Sequence, residues 1–136
     1  MKVAVVYWSG TGNTEVMAQS VAKGAEAAGA EVQLFPNAEF TSEQVSAYDA
    51  FAFGCSACGA EELDEAEFVP MWESVSPELG EKKVALFGSY GWGGGEWMET
   101  WKEASAGLNI VATCVCEAAP EGDALSECEE LGKALA

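Results

Sequence analysis

A chain of 136 residues that carries 23 acidic side chains, six lysines and neither arginine nor histidine has a formal charge of −17. This charge argues strongly against nucleic acid and anionic membrane surfaces as partners, since both require clustered positive charge. It also removes enzymes that depend on an imidazole base or a guanidinium clamp.

The length suits one domain, residues 1–136, with a single core. No apolar run approaches the ~20 residues that cross a bilayer, and no basic, apolar leader begins the chain. Five cysteines are an odd number, which favours free thiols over a disulfide framework. We therefore expect a soluble, cytoplasmic protein. The charge serves either solubility in a salty or crowded cell or steering towards basic partner proteins.

The first predicted strand, Lys2–Trp8, contains the apolar run of residues 3–7 that is typical of a buried parallel strand. A helix follows over Asn13–Ala28, and four apolar residues recur on one of its faces: Met17, Val21, Ala25 and Ala28. The turn between strand and helix holds Gly10 and Gly12 together with four hydrogen-bond donors, which are Ser9, Thr11, Asn13 and Thr14.

This turn is typical of a phosphate site, because a helix start presents unpaired backbone N–H groups and a partial positive charge. It contains no lysine, and Glu15 stands where a dinucleotide fingerprint would need its third glycine. A phosphate here would be held by neutral donors and the helix end. The alternative is an ordinary helix N-cap, where Ser, Thr and Asn are favoured anyway.

Strand-like and helix-like segments alternate along the rest of the chain. Further strands are predicted at Ala30–Phe35, Ala50–Gly54, Lys83–Gly88 and Ile110–Cys116, and further helices at Glu65–Ser74, Gly95–Ala106 and Asp123–Leu135, with a short one at Thr41–Ala47. This alternation predicts an α/β fold with a parallel sheet and helices on both faces. Ligands in such folds bind at the carboxyl ends of the strands.

Two more loops at strand ends carry candidate site residues. Trp92 is surrounded by glycines, which favours an exposed indole that stacks on a flat ligand, with core packing as the alternative. Trp97 and Trp101 lie four residues apart on the next helix, where core packing is expected. The other loop holds Cys55 and Cys58, the C-x-x-C spacing of dithiol redox sites, although no helix opens directly after it.

Acidic residues follow this second loop and form a negative rim: Glu61, Glu62, Asp64, Glu65 and Glu67. Cys114 and Cys116 alternate along the last strand and should point to one face, while Cys128 lies on the last helix. A metal site built from Cys55, Cys58, Cys114 and Cys116 is a further, weaker alternative.

Three segments together resemble the flavodoxins, small electron carriers with a doubly wound fold. Residues 8–15 (WSGTGNTE) resemble the loop that binds the phosphate of FMN, and residues 54–62 and 86–93 resemble the two loops beside the flavin. The resemblance covers essentially the whole chain and suits the short-chain branch. It implies a five-stranded parallel sheet of order 2-1-3-4-5 and non-covalently bound FMN.

The resemblance assigns cofactor contacts to residues of all three loops. They are Trp8, Ser9, Gly10, Thr11, Gly12, Asn13, Thr14, Ser56, Ala57, Cys58, Gly59, Glu61, Ser89, Tyr90, Gly91, Trp92 and Gly93. It implies that Trp92 covers one flavin face and that Glu61 accepts a hydrogen bond from flavin N3–H. It also implies that the Gly59 peptide flips to accept one from N5–H, which stabilises the semiquinone.

Two positions depart from the family pattern. Cys58 stands where close relatives have methionine, and Ala60 stands where an acidic residue is common. A thiol fills less of the flavin face than a thioether does, so replacing Cys58 by methionine should tighten FMN binding.

The function implied is that of a low-potential one-electron carrier, which uses the semiquinone/hydroquinone couple of FMN and docks transiently to basic redox proteins as a monomer. It is not an enzyme in its own right. The alternative is a flavin-dependent reductase of quinones or other small acceptors, for which the chain offers little material to build a substrate pocket. A third possibility is an accessory subunit dedicated to one enzyme.

Overall fold

The structure is a computed structural model that describes residues 2–8, 12–55, 68–90, 96–105, 107–117 and 122–136. Five strands form one sheet: β1 (Lys2–Trp8), β2 (Glu31–Pro36), β3 (Ala50–Cys55), β4 (Lys83–Tyr90) and β5 (Asn109–Glu117). The sheet has the order β2-β1-β3-β4-β5, and every neighbouring pair is parallel. The α/β fold and the strand order predicted above are confirmed.

Within the described residues, four α-helices cover the sheet: α1 (Asn13–Ala27), α2 (Phe68–Val75), α3 (Glu96–Ala104) and α4 (Asp123–Leu135). Apolar residues of α1 and α4 pack on one face against alternate residues of the central strands, such as Val3 and Val5. Residues of α2 and α3 pack on the other face against the intervening positions, such as Ala4 and Val6. Because successive side chains of a strand point to opposite faces, β1 can be apolar throughout and bury both sides.

Most element boundaries lie within two residues of those predicted, and α4 matches at both ends. The prediction for Ala28 was wrong, since this residue is exposed at the C-cap of α1. The helix ends there because Gly29 follows with φ 98°, a conformation that an α-helix does not continue through. Residues 65–67 of the third predicted helix lie outside the described residues, and α2 is described from Phe68.

The short helix predicted at Thr41–Ala47 is a 3₁₀-helix over Ser42–Ala47. Its start is held by a capping box in which the Thr41 backbone N–H donates to Gln44 Oε1 at 2.8 Å. Further 3₁₀-helices span Asn37–Glu39 and Ser76–Glu78. Among the described residues, no helix is both long and apolar enough to cross a membrane.

Helices α1 and α4 approach each other closely at two glycines. A Cβ added to Gly24 would stand 1.9 Å from the backbone oxygen of Glu129, and one added to Gly132 would stand 2.0 Å from that of Val21. Since both obstacles are backbone atoms, neither can rotate away. Glycine at these two positions therefore determines how closely the two helices pack.

Candidate functional site

The start of α1 lies just after the carboxyl end of β1, at Gly12. This residue is the N-cap and adopts φ 92° and ψ −10°, in the left-handed region where a side chain is strained. Its carbonyl accepts the first helical hydrogen bond, from Val16 N–H at 3.1 Å. Glycine brings no side chain of its own to cap the first turn, unlike the Ser, Thr, Asp or Asn usual at this position. The helix start is thus suited to an external anion.

A hydrogen bond connects this turn to the carboxyl end of β4. Thr14 is completely buried, and its Oγ1 accepts from the backbone N–H of Ser89, which is also buried, at 3.4 Å. The two residues are 75 positions apart in the chain. The structure therefore brings the start of α1 together with the carboxyl end of β4, through two residues that both belong to the predicted site.

The third predicted loop begins beside them. Trp8 is aligned with Cys55 at the carboxyl ends of the neighbouring strands β1 and β3. Trp8 is half-buried against the core that α2 and α3 cover, and Cys55 is buried in that core. The ends of β1, β3 and β4, which lie side by side in the sheet, thus form one edge from which all three loops depart.

The sequence places no lysine in the segments that leave this edge. The segments that follow β1, β3, β4 and β5 contain none of the six lysines, and Lys2, Lys82 and Lys83 lie instead at the starts of β1 and β4. Burial raises the pKa of the Tyr7 phenol, and the carboxylates of Glu15 and Glu39 raise it further. An anion bound here would rely on neutral donors and the dipole of α1.

Several predicted contacts fall outside the described residues, and their roles stay predictions. They are Ser9, Gly10, Thr11, Ser56, Ala57, Cys58, Gly59, Glu61, Gly91, Trp92 and Gly93. The same holds for the side chains of Tyr90 and Trp97. Asn13 opens α1 and is half-buried. Trp101 is buried against α2, as expected.

The cysteines divide between the two faces of the sheet. Cys114 and Cys116 lie in the core beneath α1 and α4, so the prediction that they share a face is confirmed. Cys55 lies in the core on the opposite face, which separates it from them and contradicts a joint metal site. In the described part of the chain, no three cysteine or acidic side chains are grouped to hold a metal ion.

Two contacts were not foreseen from the sequence. One is the Thr14–Ser89 hydrogen bond. The other is the approach of Cys128 on α4 to Cys114 on β5, with 3.5 Å between the two sulfur atoms. The only sequence signal for the second was that Cys128 occupies the same helical face as Leu131 and Leu135, three and seven residues later.

Comparison with known proteins identifies the fold and the family. The family model described as Flavodoxin matches residues 5–132. Flavodoxin of Megasphaera elsdenii is 43% identical over 136 residues, with 98% of both chains covered. Flavodoxin of Clostridium beijerinckii is 42% identical over 134 residues, with 97% of both covered. The solution structure of two-electron reduced Megasphaera elsdenii flavodoxin superposes with a TM-score of 0.90, covering 98% of this chain and 97% of that one.

These comparisons confirm the family and the cofactor inferred from the three motifs, and they favour the electron carrier over the reductase. The chain belongs to the flavodoxin family, and is an FMN-binding electron carrier rather than an enzyme.

Proposed function

We propose that this single domain transfers one electron at a time at low potential, with FMN bound along the edge formed by the ends of β1, β3 and β4. The observation that carries the proposal is the glycine-capped start of α1, joined to β4 through Thr14 and Ser89. The phosphate would lie at the start of α1, and the flavin between the loops after β3 and β4.

The donor set of this edge fits FMN. A phosphate monoester is an anion, and the start of α1 presents the positive end of the helix dipole at a glycine N-cap. The buried Thr14 fixes the position of this turn against β4. When bound, FMN supplies a centre that accepts and releases single electrons. The protein supplies the anion site, the orientation of the ring and the surrounding negative charge.

That negative charge is the reason for proposing a low potential. Residues 56–67 contain five acidic side chains, and Glu15 lies in the first turn of α1. Carboxylates near a redox centre disfavour the addition of further negative charge to it. The departures at Cys58 and Ala60 change the contacts of the ring, and methionine at position 58 should bind FMN more tightly.

An anaerobic reductive titration of the FMN-loaded protein tests one-electron transfer. We expect a one-electron reduced species with long-wavelength absorbance to accumulate near one electron per flavin. Direct bleaching after two electrons, together with rapid NAD(P)H oxidation by the protein alone, would overturn the proposal in favour of a reductase.

Thr14→Val tests the proposed phosphate site. Valine keeps the shape of threonine but removes the oxygen that accepts from Ser89 N–H. We expect FMN to bind about 5–30-fold more weakly, because a lost buried hydrogen bond corresponds to about 1–2 kcal/mol. Fluorescence titration of free FMN with the apoprotein measures this change.

Thr113→Val is the matched control, since Thr113 is exposed on β5 away from the proposed phosphate site. It should leave the dissociation constant unchanged. If wild type and Thr14→Val bound FMN with the same dissociation constant, the proposed role of Thr14 in the phosphate site would be contradicted.

We also propose transient docking to basic redox proteins, on the basis of the net charge of −17 and the absence of lysine from the loops at the proposed site. Electron transfer to a basic c-type cytochrome should slow by about tenfold or more when the ionic strength rises from about 0.01 M to about 0.5 M. Transfer to anionic ferricyanide should instead become faster, because salt screens repulsion there. Stopped-flow kinetics measure both rates, and the same salt dependence for the two acceptors would contradict electrostatic steering.

A monomer in the cytoplasm completes the proposal. Its support is that Cys114 and Cys128, although their sulfur atoms are in contact, are not joined by a disulfide, as is usual in a reducing compartment. Sedimentation velocity would detect a dimer.

A further inference from the structure

Cys114 and Cys128 form a buried thiol pair between the last strand and the last helix. Their Sγ atoms are 3.5 Å apart. Cys114 is 4% exposed and Cys128 is fully buried. Both residues lie in the core beneath α1 and α4, and nothing in the electron-carrier function requires two thiols in contact there.

Cys114 borders solvent on one side, whereas Cys128 does not. Cys114 lines an open groove between β5 and α4, together with Thr113, Ser126, Glu127 and Leu131. The groove has a volume of about 490 Å³, so a molecule as small as hydrogen peroxide can enter it. Glu127 Oε2 lies 4.0 Å from Cys114 Sγ and accepts a hydrogen bond from that thiol, while the charge of Glu127 acts to raise the pKa of Cys114.

The two thiols are not equivalent. A hydrogen bond from Cys128 lowers the pKa of Cys114, and the same contact together with burial raises the pKa of Cys128. Cys114 is therefore the thiol that ionises first, and the thiolate is the nucleophilic form of cysteine.

The thiol of Cys116 contacts α1 and takes no part in this pair. Its thiol donates to Met17 Sδ at 3.6 Å, and burial raises its pKa to about 11. Although it is only two residues from Cys114, it stays protonated and in contact with α1, which makes it a suitable control.

We propose that Cys114 and Cys128 are a modification site at which peroxide forms a reversible disulfide between β5 and α4. The Cys114 thiolate attacks one oxygen of hydrogen peroxide, the O–O bond breaks, and the products are a sulfenic acid and, after protonation, water. The sulfur of Cys128 then attacks the sulfenic sulfur. A second water leaves with the proton of Cys128, and the S–S bond forms.

The closure requires a small movement. The sulfurs must approach from 3.5 Å to the ~2.05 Å of a disulfide. Overall, two thiols are oxidised by two electrons and one peroxide is reduced to two waters. A dithiol reductant reverses the reaction by thiol–disulfide exchange. This inference is independent of the proposed function, because its readout is thiol chemistry alone.

To test the proposal, the FMN-loaded protein with all its thiols reduced is treated with hydrogen peroxide. The remaining thiols are then blocked with N-ethylmaleimide under denaturing conditions. We expect two of the five thiols to become unreactive and the mass of the unblocked protein to fall by about 2 Da. The protein should remain the same size on a non-reducing gel, and dithiothreitol should restore both thiols.

Peptide mapping identifies the pair. Trypsin should release residues 103–133 as one peptide with Cys114, Cys116 and Cys128, since no lysine lies between Lys102 and Lys133. Cleavage after Glu117 and Glu127 by a glutamate-specific protease then separates Cys128 from the other two cysteines. A cross-link between the resulting fragments that persists in Cys116→Ser supports the proposal.

Cys114→Ser should abolish the cross-link without creating another one. Loss of thiols from the peptide that holds Cys55 and Cys58 alone would overturn the proposal. So would a bridge to Cys116, or irreversible addition of oxygen with no bridge. The peptide map of the wild-type protein distinguishes these outcomes even where a variant fails to fold.

Discussion

Phe53→Ala is expected to lower the free energy of unfolding by about 3–5 kcal/mol, the range for removing a large buried aromatic side chain. Phe53 lies on the central strand β3 and is completely buried. Its position beneath α2, on the face opposite α1 and α4, places it in the middle of the second core.

Ring contacts explain the size of the effect. The Phe53 ring packs edge-on against Trp72 with 5.0 Å between centroids, stacks with Phe51 at 6.0 Å, and meets Phe40 edge-on at 6.3 Å. Trp72 belongs to α2, Phe51 to β3 itself and Phe40 to the segment after the first 3₁₀-helix, so the three rings cannot all move inward together. Alanine would therefore leave a cavity that the surrounding residues only partly fill.

Urea unfolding followed by circular dichroism measures the change. Phe53→Leu is the control, because it keeps most of the volume and should lose much less, about 1–2 kcal/mol. If alanine and leucine had the same effect, the loss would come from ring geometry and not from a cavity.

Gly24→Ala and Gly132→Ala are each expected to lower the free energy of unfolding by about 1–3 kcal/mol, despite the ~1 kcal/mol by which alanine favours a helix over glycine. Each new methyl group would lie at most 2.0 Å from a backbone oxygen of the opposite helix. The contact can be relieved only if α1 and α4 move apart, and this separates apolar residues that both helices bury.

The double variant sharpens the test. Once one alanine has forced the helices apart, the second should have less effect, so the combined loss should fall short of the sum of the single losses. Gly107→Ala is the matched control: its Cβ would meet no atom within 4 Å, and it should change stability by less than about 0.5 kcal/mol. If the losses in the free energy of unfolding were additive, each alanine would be accommodated by a separate local change. The two helices would then not move apart as a unit.

The local pattern of apolar residues and glycines in the sequence was sufficient to predict most of the helices and strands. The apolar run in Lys2–Trp8, followed by a glycine-rich turn and a helix with apolar residues on one face, predicts β1 and α1 almost to the residue. Such periodicity depends only on which side chains leave water, and each element reveals it by itself. The start of β4 at Lys83 was predicted correctly, but its carboxyl end was not. This strand continues to Tyr90 because Tyr90 pairs with Glu117 of β5, and such pairing supplies backbone hydrogen bonds that no local pattern contains.

The order of motifs along the chain was also sufficient to identify the family, and with it FMN and the carrier function. The sequence predicts Thr14 at a turn suited to phosphate and Ser89 just after another strand, whereas Ser89 in fact lies within β4. Only the folded chain shows that the Thr14 hydroxyl accepts a hydrogen bond from the backbone N–H of Ser89.

The sequence by itself thus determined most of the elements, their layering and the family. The tertiary structure decided which buried groups meet: Thr14 with Ser89, Gly24 with Glu129, and Cys114 with Cys128. The physical reason is that the burial of a residue follows from its own polarity and from the spacing of apolar residues around it in the sequence. A contact between distant elements depends instead on the separation and orientation at which those elements pack. If α4 packed slightly differently on β5, Cys114 and Cys128 would not be in contact.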